Sequence, residues 1–152
     1  GPLREDLSAL SRVNYVIING KKNTEIENKI LEKNKLIKIF YTSHEPQNIN
    51  EFKNDKIICF AGIGNTINFF DLLKKNKIIP LEQISFPDHH NYSTKELNNL
   101  IKKAKNNNAI LLTTEKDYLR IDNSYKQNIK FLKIKTKIKN EKDFIKDIEN
   151  FI

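Results

Sequence analysis

Cysteine occurs once in this 152-residue sequence, so no disulfide can form within the chain. Cys59 lies in the apolar run Ile57-Ile58-Cys59-Phe60, where a buried core thiol is expected rather than a nucleophile. A reducing, cytoplasmic setting follows as an expectation. No run of about 18 apolar residues exists, so no segment reads as a membrane-spanning helix. Nothing has the pattern of a signal peptide. There is no internal repeat and no long linker. Also missing is a glycine-rich loop ending in Lys-Ser/Thr, the phosphate cradle of P-loop enzymes, and with it the complete dinucleotide fingerprint.

What is present fits a soluble globular domain: 38% hydrophobic and 30% charged residues, enough chain for one domain with a real core or a large piece of a bigger protein. Acidic residues are the scarcer sign, 19 against 27 basic, for a net charge of +8. That excess suits an anionic partner such as nucleic acid, a phosphorylated ligand or an anionic membrane. The lysines are scattered among abundant Asn and Ile, however, and a compositional bias accounts for most of the charge. The sequence begins Gly1-Pro2-Leu3-Arg4-Glu5 rather than with Met, and is expected to be part of a longer protein.

Along the chain, Leu3, Leu7 and Leu10 share a helical face, residues 14–18 form a β run ending at the turn signal Asn19-Gly20, and residues 24–33 read as a helix. Residues 36–41 read as a strand, and the polar stretch 43–53, with His44 and Pro46, as a loop with some extended structure. Residues 56–61 are the most buried-looking strand, and Asn65 caps the helix behind it. Further strands are expected at residues 82–86, 109–113 and 131–138, with helices at 93–106, from Thr114 onward, and near the end around Phe144 and Ile148. This alternation predicts a single α/β domain over residues 1–152, built on a mainly parallel sheet flanked by helices.

The stretch Phe86-Pro87-Asp88-His89-His90-Asn91-Tyr92-Ser93 organises the functional reading. Pro87 stops the strand, while Ser93 and Glu96 have capping-box spacing, with Tyr92 and Leu97 placed as a hydrophobic staple. An acid and two imidazoles are thus pinned on a loop at the carboxyl end of a strand, the edge where open α/β sheets bind ligands. A polar helix cap is the plainer alternative. Histidine titrates near neutrality, and a neighbouring carboxylate can orient it or hold a metal.

Three other stretches carry weaker signals. Gly62-Ile63-Gly64-Asn65 is a strand-to-helix turn that could offer backbone N–H groups to a phosphate, although tight-turn geometry explains it as well. In Thr113-Thr114-Glu115-Lys116-Asp117, Lys116 could meet a phosphate and Asp117 could orient it, and a capped helix start with a local ion pair is equally compatible. Arg4 and Glu5 suit phosphate or Mg²⁺ work, or an ordinary helix start.

Taken in order, Gly1-Pro2-Leu3-Arg4-Glu5, the strand ending in Asn19-Gly20, Phe60-Ala61-Gly62-Ile63-Gly64-Asn65 with Phe69-Phe70, Phe86-Pro87-Asp88-His89-His90-Asn91-Tyr92, and Leu111-Leu112-Thr113-Thr114-Glu115-Lys116-Asp117 resemble the carboxyl-terminal half of the tetraacyldisaccharide 4'-kinase family. The resemblance covers residues 1 to about 121. It implies a P-loop-kinase-type, Rossmann-like carboxyl-terminal domain of a lipid A (lipopolysaccharide) biosynthesis enzyme of Gram-negative bacteria. Such a kinase moves the ATP γ-phosphate, with Mg²⁺, onto the 4'-hydroxyl of a tetraacyl glucosamine disaccharide 1-phosphate at the cytoplasmic face of the inner membrane. The family's phosphate loop, membrane-associating helix and catalytic Asp precede the matched region, so the fragment alone is expected to be inactive. By this resemblance His89, with Asp88 beside it, works with that Asp. Arg4 and Glu5 lie near nucleotide and Mg²⁺, with Glu5 the metal contact, while Gly62, Gly64, Lys116 and Asp117 edge the nucleotide site. No nucleic-acid partner is implied.

Two rivals remain. Asp-His-His also occurs in metal-dependent phosphoesterases, but the further aspartates they need have no match upstream. A basic nucleic-acid-binding domain would want clustered Lys/Arg interleaved with exposed aromatics, and most aromatics here fall on apolar faces.

Overall fold

The structure, a computed structural model, describes residues 5–150. Among these residues the elements run as a 3₁₀ turn Leu7–Arg12, β1 (Tyr15–Asn19), α1 (Thr24–Lys33), β2 (Lys38–Pro46), a 3₁₀ turn Ile49–Phe52, β3 (Ile57–Ala61), α2 (Thr66–Lys75), β4 (Glu82–Ser85), α3 (Thr94–Asn106), β5 (Ile110–Thr114), α4 (Glu115–Arg120), α5 (Asn123–Lys126), β6 (Lys130–Leu132), β7 (Ile134–Ile138) and α6 (Glu141–Glu149). No helix among the described residues is long and apolar enough to cross a membrane. The chain groups into two compact units, Gly1–Glu45 with Thr136–Ile152, and Pro46–Lys135. Where the sequence reading has one sheet, the structure has two.

The first unit holds the sheet β1-β2-β7, with β1 and β2 parallel and joined through α1. Asn23 caps α1 by accepting from the Ile26 N–H at 3.1 Å. Phe144 of α6 meets Phe40 edge-on at 4.9 Å, and the Tyr15 hydroxyl donates to the Asp147 carbonyl at 3.0 Å. Those contacts seat α6 on β1 and β2.

The second unit is a four-stranded, all-parallel sheet of order β4-β3-β5-β6. Every residue of β3 is buried, as a central parallel strand covered on both faces requires. Alternation splits its side chains: Ile57, Cys59 and Ala61 pack with Phe69, Phe70 and Leu73 of α2. Ile58 and Phe60 pack with Leu97, Leu100 and Ala104 of α3 on the other face. Each fully buried Ile, Leu or Phe contributes roughly 1.5–3 kcal/mol, so these two faces anchor everything the strand ends present. Cys59 is wholly inaccessible, and burial pushes its thiol up to about 12.

Several expected elements differ. The alternating stretch 131–138 is not one strand: β6 and β7 belong to different sheets. The break falls at Lys133, whose N–H donates to Asn48 Oδ1 (2.9 Å), while Asn48 Nδ2 donates to the Phe131 carbonyl (3.1 Å). A distant asparagine thus takes over the strand's hydrogen bonds. In the stretch read as a polar loop, β2 continues to Pro46 and includes His44, whose Nε2 lies 2.9 Å from Asn19 Nδ2. Helix α5 has no counterpart in the sequence reading.

Candidate functional site at the carboxyl ends of the parallel strands

From β3 the chain crosses through α2 to β4 on one side, then through α3 to β5 on the other. The direction of winding therefore reverses at β3, and the carboxyl ends of β3 and β5 flank the switch point where open α/β sheets bind ligands. Three loops meet there: residues 62–65 after β3, 86–93 after β4, and the start of α4 after β5.

Gly62 is the junction. Its N–H donates to Asp117 Oδ2 at 3.0 Å, and its carbonyl accepts from Arg120 Nη2 at 2.9 Å and from the His89 N–H at 3.1 Å. A Cβ on Gly62 would lie 2.9 Å from the Tyr92 hydroxyl, 3.1 Å from His90 Cβ and 3.2 Å from the Pro87 carbonyl, so only glycine lets the loops approach this closely. Gly64 backs onto Asp88: a Cβ there would stand 3.2 Å from Asp88 Oδ2.

Beneath the turn, Asp117 is fully buried. The Thr114 hydroxyl donates to its Oδ2 at 2.7 Å, and Thr114 Oγ1 accepts the Asp117 N–H at 3.1 Å as the cap of α4. Arg120 Nη2 pairs with Asp117 Oδ1. Removing one partner of such a buried pair typically costs about 3–5 kcal/mol, because the other charge is stranded. Arg120 Nη1 and the Tyr92 hydroxyl are also buried, and neither finds a hydrogen-bond partner among the described residues. Burial first, and the Asp117 charge second, hold the phenolic proton on Tyr92 far above its ordinary range.

The two histidines have different environments. His90 stacks on Phe86 (centroids 4.7 Å, 26°), and its Nε2 lies 3.1 Å from Glu96 Oε1. Glu96 in turn completes the capping box of α3, accepting from the Ser93 N–H at 2.8 Å and the Ser93 hydroxyl at 2.7 Å. Those bonds, the backbone one foremost, hold the Glu96 carboxyl below its usual value. His89 is 70% exposed, with Nε2 3.8 Å from Asp88 Oδ2. Its backbone is left-handed, φ 57°, a conformation that costs a non-glycine residue roughly 1–2 kcal/mol. The His89 N–H bonds to Asp88 Oδ1 (3.0 Å) and to Gly62 offset that cost. An accessible imidazole beside a half-exposed carboxylate can take or give a proton at the open end of the sheet.

Of the residues singled out in the sequence, Gly62, Gly64, Asp88 and His89 come together here. Lys116 is exposed on the first turn of α4. Asp117 lies under the site with no exposed surface, not at its rim. Arg4 lies outside the described residues. Glu5 belongs to the first unit and is ion-paired with Arg12. Among the described residues no three His, Cys, Asp or Glu side chains group together. Arg120 was not anticipated; the signal is its i+3 spacing from Asp117 and i+6 from Thr114, which brings all three to one side of a short helix. A hollow of about 420 Å³ along β6, lined by Asn48, Tyr118, Lys126, Phe131 and Lys133 among others, contains none of the Gly62, Asp88 or His89 group.

The chain is similar to known proteins over its whole length. The family model described as tetraacyldisaccharide-1-P 4'-kinase matches residues 1–152. The tetraacyldisaccharide 4'-kinase of Pelagibacter ubique is 38% identical over 146 residues, covering 94% of this chain and 46% of that protein. That of Wigglesworthia glossinidia brevipalpis is 39% identical over 122 residues, 79% of this chain and 31% of its own. The crystal structure of the "apo" form of LpxK from Aquifex aeolicus in complex with ATP superposes with a TM-score of 0.61 at 25% identity, over 97% of this chain and 45% of that one. The chain spans less than half the length of these relatives. With its full length matched and its switch-point loops formed, the chain belongs to the tetraacyldisaccharide-1-P 4'-kinase family.

Proposed function

We propose that the chain is the carboxyl-terminal part of a lipid A 4'-kinase, and that it presents the imidazole of His89 to the acceptor hydroxyl. Bound ATP would supply the transferred γ-phosphoryl group to the 4'-hydroxyl of a tetraacyl disaccharide 1-phosphate. The supporting observation is the difference between neighbouring histidines: His90 is engaged with Phe86 and Glu96, whereas His89 stands in solvent beside Asp88 at the sheet's switch point. Phosphoryl transfer asks the protein for alignment and charge management, and an oriented imidazole helps the acceptor hydroxyl shed its proton. Gly62 and Gly64 let the strand-end turn pack closely against Tyr92 and Asp88, which fixes the loop that carries His89.

Mg²⁺ accompanying that ATP belongs to the same proposal: the cation needs only one or two protein carboxylates beside the phosphate oxygens, and Glu5 is the residue the resemblance assigns to it. Action at the cytoplasmic face of the inner membrane belongs to the same proposal, through the portion of the relatives that this chain does not span. A metal-dependent phosphoesterase is less favoured, because Asp88, His89 and His90 do not converge on one point.

The test is a chimera in which this chain replaces the matching portion of the Pelagibacter ubique enzyme, assayed with γ-labelled ATP and tetraacyldisaccharide 1-phosphate. Transfer is expected from the chimera and none from the 152-residue chain alone. His89→Ala in the chimera is expected to lower kcat by about 10²–10⁴-fold with little change in KM for ATP. A cooperatively melting chimera without transfer, or an unimpaired His89→Ala variant, refutes the proposal.

A further inference from the structure

The left-handed backbone at His89 needs an anchor, and the anchor leads inward. Of the two acceptors of its N–H, the Asp88 carboxylate is local and half exposed, where water competes for it. The other is the Gly62 carbonyl, gripped from below by Arg120. The preceding peptide, at the Gly62 N–H, is fixed by Asp117, whose carboxylate has no exposed surface and is itself tied to Thr114 and Arg120. We propose that Asp117 and Arg120 are positioning residues for His89, acting through the backbone of Gly62. The proposal rests on the reading that His89 serves phosphoryl transfer, but the mechanical link can be tested without it.

The link is selective within the loop. A tilt of the Gly62 carbonyl breaks the His89 N–H bond, lets φ leave the left-handed region and carries the imidazole away from Asp88. His90 has separate supports: its N–H donates to the Pro87 carbonyl at 3.2 Å, its ring lies on Phe86, and its Nε2 meets Glu96. A network that only stabilised the fold would loosen both histidines together. A positioning network releases one.

Arg120→Lys separates these cases. Both contacts come from one nitrogen, Nη2, whose place is set by the planar guanidinium and its Nε bond to the Lys116 carbonyl at 3.4 Å. Lysine keeps a cation for Asp117 but, on a flexible stem without that second anchor, does not hold the Gly62 carbonyl in place. The experiment is NMR on the isotopically labelled 152-residue chain, reading the backbone coupling and intraresidue NOE that report a left-handed φ. The wild type is expected to show that signature at His89, and Arg120→Lys to lose it, with His90 and Ser93 resonances in place. Ala104→Gly, which weakens α3 away from the site, is expected to lower the melting temperature and keep the signature. Should the lysine variant fail to fold, Asp117→Asn gives the same readout, because its amide oxygen still accepts from Gly62 but no longer holds Arg120 by charge. A folded Arg120→Lys or Asp117→Asn chain that retains the left-handed His89 overturns the proposal, as does a wild type without it. Loss of the signature alongside an inert chimera keeps the link and refutes the kinase reading; the opposite pair of results does the reverse.

Discussion

Replacing Gly62 with alanine tests the close approach of the three loops most directly. The added methyl meets Tyr92 Oη at 2.9 Å, His90 Cβ at 3.1 Å and the Pro87 carbonyl at 3.2 Å. Two of these neighbours are held: Tyr92 packs edge-on to Phe60 at 5.3 Å, and the Pro87 carbonyl accepts from His90. None can retreat without disturbing the Phe86 cluster, so the methyl is overpacked at a cost of about 1–3 kcal/mol. Gly62 has no positive φ, so alanine also restricts the unfolded chain, which returns about 0.4–1 kcal/mol. The net is a destabilisation of roughly 1–2 kcal/mol, or about 2–8 °C in melting temperature for a chain of this length. The control is Gly64→Ala, whose methyl meets the tip of the half-exposed Asp88 side chain at 3.2 Å, a group that can shift toward solvent more easily than the packed neighbours of Gly62. Thermal unfolding by circular dichroism should rank wild type and Gly64→Ala close together and Gly62→Ala well below both. A Gly62→Ala chain that melts at or above the wild type, or a reversed order of the two variants, refutes the packing argument.

Three further outcomes are expected. His89→Ala should leave the melting temperature nearly unchanged, because the ring is exposed, whereas His90→Ala should lower it by removing the Phe86 stack and the Glu96 bond; paired calorimetry reads the difference. The Glu96 carboxyl titrates below its ordinary 4.5 in the folded chain, so its stabilising effect is complete above that value and is lost as pH falls through the lower folded one. Denaturant titrations across that acid range should therefore show a smaller decline for Glu96→Gln than for wild type. Cys59, inaccessible and with its thiol raised to about 12, should resist a thiol reagent at neutral pH until the chain unfolds, with labelling that tracks denaturant concentration.

Where the determinants are local, the sequence was enough. Helix α1 spans the residues its pattern predicts, and Asn65, Ser93 and Thr114 all cap the helices they precede, since a cap needs only an oxygen two or three residues upstream. The Asp88–His89 loop was legible for the same reason, pinned by Pro87 and the Ser93–Glu96 box. What was hidden depends on distant partners. The alternation of residues 131–138 is the same whether they form one strand or two, and only Asn48, 85 residues from Lys133, decides the break. The burial of Asp117 follows from Gly62, 55 residues away, and from the Nη2 of Arg120, so a local reading of Thr-Glu-Lys-Asp could place the carboxylate at the surface as readily as beneath it.

The three-stranded sheet draws two strands from the beginning of the chain and the third, β7, from near its end. On a ribosome the two units therefore mature on different schedules. The parallel four-stranded unit has all its strands once Leu132 has been made, and its elements are contiguous in sequence. β1 and β2 are made before that unit but are completed after it, because β7, their sheet's third strand, follows it in the chain. Closing so long an interval costs little extra entropy, since that cost grows only with the logarithm of length. The delay is one of timing: the β1–β2 segment stays protease-sensitive on nascent chains stalled before Ile134 and becomes resistant once Ile138 and the helix behind it are free.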